Sequence, residues 1–241
     1  MNRDMPGGCL PAPEAEALFR VEDLHKSFPT DGREIHVLKG IDMEIRPREA
    51  LAILGASGAG KTTFLHLLGG LDRASRGRVV YRGEELLQKQ DRELAAFRNR
   101  EVGFVFQFHY LLNDLTALEN TALPVLIAGG SKKRAEQRAA SLLEELGLGE
   151  RLSHRPGKLS GGEQQRVAVA RAMIMEPKVI LADEPTGNLD TLTAAGVEDL
   201  LLGLRESHGV TLVVVTHNPE FASRMDRKVH MVDGRIVEPG A

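Results

Sequence analysis

The chain has 241 residues, 42% of them hydrophobic, with 31 Lys and Arg against 34 Asp and Glu and a formal net charge of -3. That length suits one large α/β domain with a real core, and the charge balance gives no reason to expect a nucleic-acid partner. A single cysteine, Cys9, excludes an internal disulfide and fits a reducing compartment, while no apolar run approaches the roughly 18 residues of a membrane-spanning helix.

Residues 1–17, MNRDMPGGCLPAPEAEA, are rich in Pro, Gly and Ala and lack an apolar signal core, so they read as a disordered tail with Cys9 a plain member of it. Residues 18–26 alternate loosely and read as a strand. Pro29-Thr30-Asp31-Gly32 signals a turn, residues 37–38 and 41–45 continue a β-rich entry, and Arg46-Pro47-Arg48 is the next turn. The apolar run Leu51-Ala52-Ile53-Leu54 then leads into GASGAGKTT, made of Gly55, Ala56, Ser57, Gly58, Ala59, Gly60, Lys61, Thr62 and Thr63, and on into a helical start. Strand, glycine-rich turn, Lys-Thr and helix form the phosphate-binding loop pattern. Glycines let backbone N–H groups converge on one hollow, and the helix N-terminus adds its dipole. Lys61 would reach the β- and γ-phosphates of a nucleotide, and the Thr62 hydroxyl would ligate Mg²⁺.

Further on, RVVYR at 78–82 predicts a strand, residues 91–100 a polar helix and residues 102–106 a short buried strand. Residues 116–128 and 131–146 predict two helices, and residues 161–175 a third that breaks at Pro177. The runs at 179–182 and 210–215 are continuously apolar, as strands buried on both faces should be. Residues 193–207 supply the helix between them, and 228–237 a terminal hairpin around Asp233-Gly234. This order predicts one domain over 18–241: a parallel α/β core, a β-rich N-terminal layer and an inserted helical lobe at about 108–175.

Two further stretches carry chemistry. In VILADEP, Asp183 and Glu184 directly follow four apolar residues, and ligand sites in open α/β sheets lie at the carboxyl ends of strands. Asp183 would hold Mg²⁺ beside the phosphate loop, and Glu184 would polarise an attacking water. In LSGGEQQR, Ser160 and Glu163 form the S-x-x-E capping box of a helix, and Gly161 and Gly162 strip its first turn of side chains. That leaves N–H groups open to an anion. A chain with two anion-binding helix ends invites a second copy, packed head-to-tail.

In that order, these motifs resemble the ATP-binding-cassette ATPases from about residue 18 to 238. GASGAGKTT is similar to the Walker A loop, VILADE to Walker B and LSGGEQQR to the family signature, which is far more specific than Walker A alone. The resemblance implies a P-loop NTPase fold of α/β class and hydrolysis of ATP with Mg²⁺. It makes Gln107 the Q-loop glutamine that helps arrange the metal, Gly187-Asn188-Leu189-Asp190 the D-loop, and His217 the switch histidine at the γ-phosphate. Phe28 falls where an aromatic stacks on adenine. Ser160, Gly161, Gly162 and Glu163 would act on nucleotide from the opposite copy of a homodimer.

Within the family, LHLLGGLD, FQFHYLLNDLTALEN, ADEPTGNLD and VVTHN are most similar to the ATPase subunits of bacterial lipoprotein-releasing transporters. That resemblance implies a peripheral subunit on the cytoplasmic face of the inner membrane, beneath two transmembrane subunits. A related exporter or cell-division complex, or a soluble cassette of nucleic-acid repair or translation, is the alternative. Gln164, Asn113 and Asn218 depart from the group, which commonly has Arg, Pro and Asp there. Finally, Phe104, Phe106, Phe108 and Tyr110 are four of the ten aromatics of the chain. With Leu111 and Leu112, the last two either form a surface that docks a partner or pack against the helical lobe.

Overall fold

The computed structural model describes residues 17–30 and 32–237. The tail expected at 1–17 lies, but for Ala17, outside the described residues, and so does Cys9. Ten strands and seven α-helices follow in the order β1 (Phe19–Thr30), β2 (Arg33–Ile45), β3 (Ala50–Leu54), α1 (Lys61–Leu68), β4 (Arg76–Tyr81), β5 (Glu84–Glu85), α2 (Asp91–Glu101), β6 (Val102–Phe106), α3 (Ala117–Ile127), α4 (Lys132–Glu145), α5 (Gly161–Met173), β7 (Val179–Asp183), α6 (Thr191–His208), β8 (Thr211–Val215), α7 (Pro219–Ser223), β9 (Arg227–Val232) and β10 (Arg235–Val237). Two short 3₁₀ turns lie between α4 and α5.

The strands form two sheets. One is antiparallel, in the order β2-β1-β4-β5. The other runs β10-β9-β3-β8-β7-β6, parallel throughout except for the β10 edge. The apolar runs behave as their composition predicts. β3 and β8 are buried at every position and β7 at all but its last, because helices or the second sheet cover both faces. One apolar cluster fills the space between the antiparallel layer, α1 and the near face of the parallel sheet. A second packs α5 and α6 against the far face. A third, small one joins α3 and α4 around Ala122, Ala135, Ala139 and Ile174.

Several expected boundaries move. β1 runs to Thr30 and β2 restarts at Arg33, so Pro29 and Thr30 of the expected turn belong to the strand, while Asp31 lies outside the described residues. Pro29 is tolerated there at the exposed end of the strand. α5 ends at Met173, two residues early, and the chain then reaches Glu176 at φ 53 before Pro177. α6 begins at Thr191, because the Asp190 side chain accepts the Thr193 N–H and sets the cap there.

The register of the parallel sheet positions the site. Ile53 pairs with Val215, Val215 with Asp183, and Asp183 with Phe106. The segments that leave this row therefore begin side by side: Gly55, His217, Glu184 and Gln107 all emerge at one edge. On the far face, α5 lies close to β6 because Gly103 presents no side chain to it. A Cβ there would stand 2.6 Å from the Ala172 carbonyl oxygen. Gly103→Ala should therefore destabilise the chain by about 1–3 kcal/mol, read as a lower urea midpoint at unchanged slope.

Candidate nucleotide site

The phosphate loop sits between β3 and α1. Gly55 has φ 157 and a missing Cβ that would lie 2.3 Å from the Met231 carbonyl oxygen, so no larger residue fits this start of the loop. Gly60 caps α1 at φ 103, a left-handed conformation that favours glycine. The loop is tied down from behind, where the Gly234 N–H donates to the Ala59 carbonyl at 3.0 Å. Lys61 is buried and folds back on its own loop, its Nζ donating to the carbonyls of Gly55 (2.8 Å) and Ala56 (3.0 Å). Burial pulls its ammonium below the ordinary lysine range, opposed by the nearby charges of Glu184 and Asp183.

A cleft of about 430 Å³ opens in front of the loop, lined by Ser57, Gly58, Gly60, Lys61, Thr62, Thr63, Gln107, Asp183, Glu184 and His217 together with Val37 and Val215. The cleft thus brings together residues that lie up to 180 positions apart in the chain (37 to 217). Asp183 Oδ1 is buried and has no hydrogen-bond partner. A buried carboxylate oxygen left open costs stability unless something takes it up. With the exposed Thr62 hydroxyl, it supplies a hard-oxygen donor pair on the cleft wall. Among the described residues no group of three or more His, Cys, Asp or Glu could hold a metal unaided. The residues present fit Mg²⁺, which takes few protein ligands and completes its shell with water and phosphate oxygens.

Glu184 stands at φ 46, strained for a glutamate, and its backbone N–H continues the sheet by donating to the Val215 carbonyl at 2.9 Å. Its Oε2 accepts the His217 backbone N–H at 3.2 Å. Its Oε1 lies 3.0 Å from His217 Nε2, within ion-pair reach but without hydrogen-bond alignment, so that oxygen keeps its accepting capacity. Burial pushes the Glu184 carboxyl above the usual carboxylate range, against the pull of His217 and Lys61. A carboxylate held this way is poised to accept a proton.

The remaining expected residues are placed differently. Gln107 borders the cleft, but its Nε2 donates to Asn188 Oδ1 at 2.9 Å, which leaves the side-chain oxygen to face a ligand. Asp190 is occupied as the α6 cap. Phe28 is exposed on β1 and does not line the cleft, with Lys26 Nζ 4.7 Å from its ring centre. Ser160, Gly161, Gly162 and Glu163 do not line the cleft of their own chain. The capping box forms: Ser160 Oγ accepts the Glu163 N–H and a Glu163 oxygen accepts the Ser160 N–H. Arg151 holds the other Glu163 oxygen at 2.8 Å, so both carboxylate oxygens accept bonds from their own chain.

Three polar residues that support the site are given no role by their motifs, and Glu198 lies in no motif at all. Asn188 holds Gln107. Gln165, fully buried on α5, donates to the carbonyls of Phe106 (3.2 Å) and Pro185 (2.6 Å). Glu198, buried on α6, accepts from Thr186 and Asn218. Gln165 and Glu198 are buried although polar, and their distant partners account for it, whereas Asn188 stays exposed. The segment after Gln107 is exposed: Phe108 is 62%, Tyr110 65% and Leu112 50% accessible. Of the two readings of this patch, packing against the lobe is therefore not what these three side chains do. The Arg171 guanidinium fixes the segment by donating to the carbonyls of His109 and Tyr110, both at 2.7 Å. Beside it runs an apolar groove of about 360 Å³ that includes Leu71, Phe104, Phe106, Leu123, Ile127 and Met175.

Residues 38–187 match the family model described as ABC transporter. Among curated proteins, the chain is 53% identical over 220 residues to the lipoprotein-releasing system ATP-binding protein LolD of Syntrophus aciditrophicus, covering 91% of this chain and 99% of that protein. It is 47% identical over 222 residues to LolD of Myxococcus xanthus, covering 92% and 99%. Among solved structures, the dimeric ABC transporter cassette MJ0796 superposes with TM-score 0.84 at 38% identity, covering 90% of this chain and 96% of that one. A post-hydrolysis dimer of MJ0796 bound to ADP and Pi matches with the same TM-score at 36% identity and the same coverage.

Lys61→Ala removes the one full positive charge at the loop. Nucleotide affinity should fall by about tenfold to a hundredfold, the loss of a charge-assisted hydrogen bond worth roughly 1.5–3 kcal/mol. Titration with a fluorescent ATP analogue measures it.

Proposed function

The chain belongs to the ABC transporter family and is an ATP-hydrolysing cassette, and on that premise we propose that it drives lipoprotein release from the bacterial inner membrane. In this reading it works as a head-to-tail homodimer on the cytoplasmic face, beneath two transmembrane subunits. The cargo rests on likeness to relatives that carry that name over more than nine-tenths of this chain. The homodimer rests on likeness to dimeric cassettes and on the exposed Ser160-Gly161 helix end outside its own chain's cleft. Among the described residues no helix is long and apolar enough to cross a membrane, which fits a peripheral subunit.

The observation that carries the chemistry is the meeting of Lys61, Asp183, Glu184 and His217 in one cleft. Lys61 exchanges the carbonyls of Gly55 and Ala56 for phosphate oxygens. Glu184 orients a water for in-line attack on the γ-phosphorus and takes its proton as the bond to ADP breaks. His217, already against Glu184, faces the γ-phosphate. Mg²⁺ held by Thr62, Asp183 and Gln107 would offset charge on the phosphates. Catalysis of this kind is mostly positioning and charge stabilisation. Ser160, Gly161 and Gly162 close the site from the other copy.

Glu184→Gln keeps the shape and removes the base. Turnover should fall by about a hundredfold or more while ATP still binds and a closed dimer accumulates on gel filtration; near-normal turnover removes Glu184 from the role. In the unmodified chain the active form is the carboxylate, so activity is lost as pH falls through its raised pKa. The acid limb of the pH–rate profile should therefore lie above the range of an ordinary glutamate.

The exposed segment after Gln107 is the proposed docking surface for the membrane subunits. Tyr110→Asp or Leu112→Asp should leave melting temperature and ATP binding unchanged and abolish pull-down of the membrane subunits or their stimulation of ATPase activity. Normal assembly and coupling in both variants places docking elsewhere.

A further inference from the structure

Glu198 is a buried carboxylate that the proposed reaction does not use. It sits on α6, 6% exposed, at the inner wall of a cleft of about 600 Å³ that adjoins the nucleotide site. One of its oxygens, Oε1, accepts two hydrogen bonds. Thr186 Oγ1 donates at 3.3 Å and Asn218 Nδ2 at 3.1 Å. Thr186 lies two residues beyond Glu184, and Asn218 lies one residue beyond His217. A single oxygen on a rigid helix thus touches both loops that carry the reacting side chains.

Asn218 is fully committed in this arrangement. Its Oδ1 accepts the backbone N–H groups of Glu220 (2.9 Å) and Phe221 (3.3 Å) and so caps α7. Its Nδ2 is then the only part of the side chain left to face Glu198. An aspartate could cap α7 equally well, but its second oxygen would meet Glu198 as another acceptor where the amide now donates, and the two could bond only by taking up a proton. The buried glutamate and the asparagine are therefore one matched acceptor–donor pair.

We propose that Glu198 is a positioning residue for ATP hydrolysis, holding the His217 loop and the turn after Glu184 in mutual register through Asn218 and Thr186. The inference rests on the reading of Glu184 and His217 as reacting groups. Since Glu198 is remote from the phosphate loop, its loss should appear in turnover and not in ATP affinity.

The test uses the full chain, with kcat, KM for ATP and melting temperature measured on each variant. Glu198→Gln keeps an oxygen that can accept both bonds and should stay within about twofold of the parent. Asn218→Asp should lower kcat about tenfold with KM and melting temperature little changed. Glu198→Gln combined with Asn218→Asp reverses the polarity of the bond, since the glutamine amide can donate to the aspartate, and should restore most of the lost turnover. Glu198→Met removes the acceptor, and should lower kcat without lowering the melting temperature. Should Glu198→Met fail to fold, the polarity swap still decides. Normal turnover in Asn218→Asp, or a double variant no better than Asn218→Asp, overturns the tether. His217→Ala, assayed beside them, separates the two ideas. A normal rate there sinks the reading of the site itself, whereas an inactive His217→Ala beside a normal Asn218→Asp sinks the tether alone.

Discussion

The site depends on the register of one parallel sheet. Ile53, Val215, Asp183 and Phe106 lie in a row across β3, β8, β7 and β6. A slip of one residue in any strand would turn its apolar side chains to the other face and carry its loop away from the others. The register is held where it matters most. The Glu184 N–H reaches the Val215 carbonyl and the Thr216 N–H the Ile53 carbonyl, which carries the ladder one step past the strand ends. Burial on both faces makes that register expensive to change, since β3 and β8 expose none of their residues. The polar chemistry at the edge is therefore anchored in an apolar ladder that has no chemistry of its own.

Around that edge, α5 and α6 act as rigid supports. α5 reaches it twice, through Gln165 to the ends of β6 and the turn after β7, and through Arg171 to the segment after Gln107. α6 reaches it through Glu198. Each contact places a polar side chain on a face that packs against the sheet, where an unpaired group would be costly. The loops at the site are held by hydrogen bonds from helices whose own positions are set by apolar packing.

The parts of this arrangement that could be read from sequence are those written in consecutive residues. GASGAGKTT, VILADE and LSGGEQQR each describe a local backbone event: a glycine loop, a buried strand with carboxylates at its end, a capped helix. The α/β class and the alternation of buried strands with helices were legible from the apolar runs; the strand order was not. What could not be read are contacts between residues far apart. Gln165 meets a carbonyl 59 positions away and Gln107 an amide 81 positions away. No pattern along the chain distinguishes Glu198, in AAGVEDLL, from the exposed Asp199 beside it. Phe28 shows the opposite limit, because its motif position suggested a role that the lining of the cleft does not by itself display.

The Arg171 clamp has a consequence for how this surface meets other molecules. Tyr110 is at φ 47, a conformation that a free loop would rarely populate, and two charge-assisted bonds hold the carbonyls on either side of its Cα, those of His109 and Tyr110. The backbone under Tyr110 is thereby ordered before anything arrives. For a partner docking here as proposed, association would lose little loop entropy and proceed as a nearly rigid encounter, so that residence time, and not the rate of capture, is where sequence changes in the patch would register.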